Sequence, residues 1–152
     1  MYVHHGSLAL SARTDPLYEK AKRYLERDPV ERSIFQHLER EAKHVYLRSN
    51  SHNDDSYDAH TSTIHWDPYS ALRTTSGGHQ SPALGLAHEA DHATCDARVL
   101  SDGWNHPVRA YDDAEERRVI LGSETHAARR LGEATRHNHA GTCYRVATPT
   151  AR

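Results

Sequence analysis

Two cysteines in 152 residues, Cys95 and Cys143, are too few for a disulfide framework. One bridge between them is the most that the sequence permits, and a small buried thiol is the simpler reading of Cys95. Neither sign of charge dominates. The 19 basic and 21 acidic residues leave a net charge of −2, so there is no basic excess to suggest nucleic acid and no acidic tail. Long apolar runs are missing too. Nothing approaches the ~18 residues that a membrane span needs, and none is expected. The N-terminus lacks the basic start and apolar stretch of a signal peptide, so export would need a route without a cleaved signal. Internal repeats and low-complexity tracts are absent. With 36% hydrophobic residues, the chain suits a single domain over 1–152 with one modest core and much exposed loop. Residues 1–14 carry no motif and are expected to lie outside that core, disordered or as an expression remnant.

What the chain has in abundance is histidine, 14 residues, and two of these stand out. In Ser81–Cys95, SPALGLAHEADHATC, His88, Glu89 and His92 form H-E-x-x-H. On a helix, positions i and i+4 share a face one turn apart, so two imidazoles can grip one metal ion. The Glu after the first His lies close to the same face, where it can act as a general base. This is the pattern of a zinc hydrolase, which needs a third ligand from elsewhere. Ser81 is a good N-cap and Pro82 fits the first helical position. Ala83, Leu84, Leu86, Ala87, Ala90 and Ala93 make the helix apolar enough to be buried. A buried helix carrying His, Glu and His needs partners for them, and a metal ion supplies one.

The rest reads as α+β. Asp15-Pro16 and Asp28-Pro29 each start a helix within 15–42. Leu17, Ala21, Tyr24 and Leu25 form the apolar stripe of the first, and Val30, Ile34, Phe35 and Leu38 that of the second. Lys43–Ser49 reads as a strand with Val45 and Leu47 on one face, and Asn50–His60 as a polar loop whose Asp54, Asp55 and Asp58 fit no calcium-loop spacing. Thr61–Trp66 is a second strand, ended by Asp67-Pro68. Thr74–Gln80 is a flexible lead into the central helix. A loop over Ser101–Tyr111 and a helical region from Asp112 or Asp113 to about Glu133, broken near Gly122-Ser123, follow. The tail adds a short strand around TCYRV.

A catalytic zinc takes three protein ligands and leaves one position open. The metzincin continuation would need Gly and His where this chain has Cys95 and Arg98, which excludes that subclass. Glu115 and Glu116 open the last helical region. Glu116 shares a face with Val119 and Ile120 and is the preferred third ligand, with Glu115 the alternative if Asp113 is the N-cap. Glu124 reads as a structural or supporting group.

The runs TIHWDP, GGHQSPALGLAHEADHA, DAEERRVILGSE and LGEATRHNHAG, in this order over roughly residues 61–145, resemble the NleD-like bacterial effector zinc metallopeptidases. They are also similar to the metallopeptidase domain at the C-terminus of some VgrG-type spike proteins. The resemblance implies a compact zincin-like domain with its catalytic core in 61–145. A small sheet would pack on the H-E-x-x-H helix, and a second helix would supply a Glu ligand. It implies Zn2+ held by His88, His92 and the Glu115-Glu116 pair, with Glu89 as the base. It also implies secretion or delivery into a target cell by a bacterial secretion apparatus, with a protein or peptide as substrate; an immunity protein would be a further partner. Ala90 and Asp91 stand where better-known members have a hydrophobic residue after H-E, and Asp91 would be a supporting group.

Zincins often add a His, Tyr or Arg to stabilise the oxyanion. The tail offers Arg136, His137, His139 and Tyr144, of which His139 and Tyr144 are the candidates. Thr63–Trp66, with Ile64, His65 and Trp66, is the candidate sheet edge for pairing with extended substrate. Two other functions compete with an endopeptidase acting on a target-cell protein. One is a zinc hydrolase acting on cell-wall peptides of a rival bacterium. The other is a non-enzymatic module with structural zinc.

Overall fold

Asp15 and Asp28 set the phase of the first two helices. The Asp15 carboxylate accepts from the amides of Leu17 and Tyr18 at the start of α1, Pro16–Leu25. Asp28 accepts from those of Val30 and Glu31 at the start of α2, Pro29–Arg40. In α1 the buried residues are Tyr18, Ala21 and Leu25. In α2 the buried stripe is Glu31, Phe35 and Leu38, while Val30 is exposed. That stripe is one residue round from the expected one, because Phe35 and Leu38 share their face with position 31 rather than 30. The computed structural model describes residues 2–5, 8–11, 15–40 and 45–152.

Five strands form the main sheet: β1 (Tyr2–His5), β2 (Leu8–Ser11), β3 (Tyr46–Ser49), β4 (Ser56–Asp58) and β5 (Thr63–Trp66). Their order is β2-β1-β3-β5-β4. β1, β3 and β5 run parallel, and β2 and β4 are antiparallel to their neighbours. The first fourteen residues, expected to lie outside the fold, thus contribute two strands. Lys43 and His44 of the expected strand lie outside the described residues, whereas Val45 and Leu47 are buried as expected. β4 falls in the expected loop 50–60, where a three-residue strand is too short for a periodicity to show.

A second sheet forms further along the chain. It joins β6 (Ser70–Thr74), β7 (His79–Gln80) and β10 (Gly141–Arg145) in the order β10-β6-β7, all antiparallel. A ribbon of β8 (Pro107–Val108) and β9 (Asp112–Asp113) closes a turn further along.

α3, Pro82–Thr94, touches α1, α2 and strands of both sheets, with every residue except Gly85 and Thr94 buried. Ser81 caps it and Pro82 occupies its first position. The Ser81 amide and hydroxyl both donate to the Glu133 carboxylate, at 2.6 and 2.8 Å, and Tyr24 donates to the same group at 2.7 Å. The indole of buried Trp66 donates to the Pro82 carbonyl at 2.8 Å, tying β5 to the helix start. Trp66, Ile64, Phe35, Tyr18, Leu84 and Leu86 are fully buried around α3. Each such apolar side chain contributes about 1.5–3 kcal/mol relative to exposure.

After α3, Asp96 caps α4, Ala97–Trp104, a short helix where the sequence offered only a loop from Ser101. The last helical region is two helices, α5 (Ala114–Val119) and α6 (Thr125–Leu131), joined by a kinked turn over Ile120–Glu124. The expected break falls at Gly122, whose φ of −93° and ψ of −110° are not helical. The architecture is mixed α+β. No helix among the described residues is long and apolar enough to cross a membrane.

Candidate metal centre

Helical spacing on α3 brings the rings of His88 and His92 together, centroids 4.8 Å apart. Their Nε2 atoms lie 3.1 Å from each other. Asp113 caps α5 by accepting from the amides of Glu115 and Glu116, and the first turn of that helix faces α3. Glu116 places Oε2 2.9 Å from His88 Nε2 and Oε1 3.3 Å from His92 Nε2. The three residues could hold a metal ion. Glu116 rather than Glu115 joins the cluster, although Asp113 is the cap.

The outer nitrogens decide what the inner ones present. His88 Nδ1 is 2.8 Å from Glu124 and His92 Nδ1 is 3.0 Å from Glu115. Carboxylates only accept, so each Nδ1 carries a proton and each Nε2 is turned to the common point. There each Nε2 can donate its own proton to Glu116 or, where a cation takes that proton's place, offer it a lone pair. A tetrahedral ion with ligand bonds of about 2.1 Å has ligand atoms roughly 3.4 Å apart, a little wider than the 2.9–3.3 Å found. The donor set and its outer supports therefore fit a divalent metal.

Those supports are themselves held. Glu124 accepts two bonds from Arg136, at 2.8 and 2.7 Å, and one from Gln80 at 2.9 Å. Glu115 accepts from Arg118 at 2.9 and 2.7 Å. Arg118 also donates to Asp91, which takes a short bond from Ser123. Asp91 thus acts two steps back from His92, through Arg118 and Glu115. Both Ser123 and Glu124 come from the kinked turn between α5 and α6. Cys95 lies against Arg118 rather than in the cluster, and both cysteines are free thiols.

Without a cation the cluster's charges respond to one another. Burial disfavours the charged His88, but bonds to Glu116 and Glu124 outweigh it and lift its pKa to about 10. Burial acts against ionised Glu116 as well, yet the two imidazoles hold it far below the usual carboxylate range. Glu124, also buried, is brought down to about 2 by His88 and Arg136. Glu89 is different. Burial dominates and pushes its carboxyl up, against the pull of His88 and His92. Its Oε1 lies 3.9 Å from His88 Nε2, beside the metal point and not among the ligands.

A cavity of about 280 Å³ opens on this point, lined among others by His88, Glu89, Leu72, Leu84, Arg136 and His139. His139 stacks over His88 with ring centroids 6.3 Å apart, and its Nε2 is 3.3 Å from Glu116. Asp112, at φ +69°, takes the other ring nitrogen at 2.5 Å. Trp104 of α4 packs on His92 at 6.4 Å.

Two sequence-predicted groups lie elsewhere. Tyr144 does not reach the site. Its strand neighbour Cys143 lines the cavity together with its cross-strand partner Leu72 and, beyond that, Gln80. Alternation turns Tyr144 to the opposite face, where its hydroxyl is 2.8 Å from His79. Thr63–Trp66 is not a sheet edge. β3 pairs with one side of it and β4 with the other, and Ile64 and Trp66 are wholly buried. The edge beside α3 is β4, on whose outer side no strand pairs among the described residues. The sequence also gave no sign of Arg136 and Gln80 as holders of Glu124, of Asp112 behind His139, or of Asp55 on the cavity wall. A family-scale comparison adds no constraint: searched against protein-family models, curated proteins and solved structures, the chain matches none.

Proposed function

We propose that the chain is a zinc-dependent endopeptidase of the HExxH…Glu type, with a zincin-like arrangement of sheet, metal helix and Glu-bearing helix. The observation that carries this is the meeting of His88 Nε2, His92 Nε2 and Glu116 at one point, with Glu89 beside it and a cavity in front. His88, His92 and Glu116 would hold the ion. When bound, zinc supplies Lewis-acid polarisation of the scissile carbonyl and makes water a stronger acid. Glu89 takes the proton from the attacking water at its raised carboxyl and passes it to the leaving amine. His139, held by Asp112, faces the same space and donates to the oxygen on which charge develops. The free side of β4 offers backbone groups to an extended substrate.

An enzyme is favoured over a closed structural site by the ligand set. Among the described residues the cluster has three ligands and an adjoining cavity, and a structural site has no use for an acid beside it. Delivery into a target cell by a bacterial secretion apparatus, as an effector or toxin, rests on the motif resemblance.

The test is metal content together with hydrolysis. Wild type should carry about one zinc per chain, sharply reduced in His88→Ala and Glu116→Ala. Glu89→Gln should keep the zinc and lose peptide hydrolysis. A wild type that takes up no zinc, or a Glu89→Gln variant that cleaves normally, overturns the proposal.

A further inference from the structure

We propose that Asp55 is the specificity residue of this site and receives a cationic side chain, arginine or lysine, from the substrate residue flanking the scissile bond. This rests on the peptidase reading above and extends it to the class of substrate.

The cavity that opens on His88 and Glu89 also has Asp55 in its wall. Its charged groups are partnered with one another, with two exceptions. Arg136 is taken by Glu124 through two bonds. Nearby Asp67 is taken by Arg145 at 2.6 Å. Glu89 is reserved for the proton, and Asp55 remains. Its Oδ1 accepts from the Asp67 amide at 2.7 Å, which fixes the carboxyl in place. No ion pair to Asp55 occurs among the described residues.

The helix opposite is shaped to admit this carboxyl. A β-carbon at Gly85 would lie 2.5 Å from Asp55 Oδ2. Glycine in the middle of a helix costs about 1 kcal/mol relative to alanine, and here it leaves room for an acid against the metal-bearing helix. Burial pushes the Asp55 carboxyl up to about 8, with the charge of Glu89 adding to the effect. Such a group lacks a counter-charge, and a cation entering the cavity supplies it.

The remaining walls suit the stem of a long basic side chain. Leu72 and Leu84 offer apolar surface for methylenes, while Asn53, Ser70 and Gln80 are polar and uncharged. Position along the chain agrees. β4 starts at Ser56, directly after Asp55, so a substrate strand laid along that edge passes the carboxyl. A glutamate or aspartate side chain would meet Asp55 and Glu89 together and be repelled.

The test measures binding without turnover. Zinc-loaded protein is titrated calorimetrically with Nα-acetylated hydroxamates of arginine, lysine, norleucine and glutamate, and with unblocked norleucine hydroxamate. Wild type should bind the arginine and lysine probes about tenfold or more tighter than acetyl-norleucine, the scale of a charge-assisted hydrogen bond, and glutamate most weakly. In Asp55→Asn, which keeps the acceptor for the Asp67 amide, the arginine-to-norleucine ratio should collapse toward one. In Asp55→Lys the preference should turn to glutamate. Equal binding of the acetylated probes by wild type, or an arginine preference that survives in Asp55→Asn, overturns the assignment while leaving the peptidase intact. Tighter binding of unblocked norleucine than of acetyl-arginine also overturns it and gives the acid to a substrate amino terminus. Failure to take up zinc or to bind any probe overturns the peptidase reading and this proposal with it.

Discussion

His88 donates from Nδ1 to Glu124, 2.8 Å away and 36 residues later in the chain. Glu124 itself is pinned by Arg136 and Gln80. The bond fixes which nitrogen of His88 faces the metal point, and its negative charge makes that nitrogen a better ligand. Glu124→Gln keeps an acceptor of the same shape and removes the charge. Its zinc affinity should fall about 10–100-fold, measured by competition with a chelator, with circular dichroism to show that the fold is kept. Wild-type affinity in this variant would mean that the bond serves packing alone.

His139 and Tyr144 should part company in kinetics. His139 faces the cavity over His88, whereas Tyr144 bonds to His79 on the other side of its sheet. His139→Ala should lower kcat/KM by about 10²–10³, as loss of an oxyanion donor does, with zinc content unchanged. Tyr144→Phe should leave kcat/KM within about threefold of wild type. Equal losses in both variants would count against the placement of His139.

Glu31 should make stability fall as pH rises. It is fully buried, and neither carboxyl oxygen has a hydrogen-bond partner. Burial, then Asp91, Asp28 and Glu124, raise its pKa to about 8, with His88 pulling the other way. The folded state therefore holds a proton that the unfolded chain has released above about pH 4.5. Stability is lost progressively from there to about pH 8 and no further beyond it. Glu31→Gln removes that dependence. Urea midpoints at pH 5 and pH 8.5 should converge in the variant relative to wild type, and equal slopes in both proteins would refute it.

Gly85 and Asp55 should be coupled. Gly85→Ala sets a β-carbon against the Asp55 carboxyl and should destabilise by about 1–3 kcal/mol, overpacking outweighing the gain in helix propensity. With Asp55→Ala in place the same change should be neutral or stabilising by up to about 1 kcal/mol. A double-mutant cycle by urea denaturation reads the difference, and additive effects would show that the two do not touch.

The centre of the site was legible because it is local. His88, Glu89 and His92 need only the geometry of one helix, and Ser81-Pro82 announces where that helix begins. Glu116 could be chosen over Glu115 because it shares a face with Val119 and Ile120, which are buried. What lies further out depends on contacts that no periodicity records. Arg136 reaches Glu124 from a stretch without helix or strand, and Asp55 stands in what reads as a solvated loop. β4 has three residues and is recognisable as a strand only by its partner β5. Ile64 and Trp66 looked like an edge because their β-branched and aromatic character marks a strand equally well at the rim or in the middle of a sheet. Tyr144 was misplaced for a similar reason: one step along a strand exchanges the cavity for the far face.

The kink at Gly122 is, seen another way, a matter of phase. An α-helix advances about 100° per residue, and the break sets the direction in which everything after it points. Shortening the kinked turn by one position would swing Glu124 and all of α6 round by that angle relative to α5. The chain would still spell H-E-x-x-H and still present Glu116, but the anion behind His88 would point elsewhere. Two chains with identical metal ligands can thus differ in how tightly they grip, and the difference would lie in the kink of a helical region that contributes the ligand Glu116 and, eight residues on, the carboxylate that supports His88.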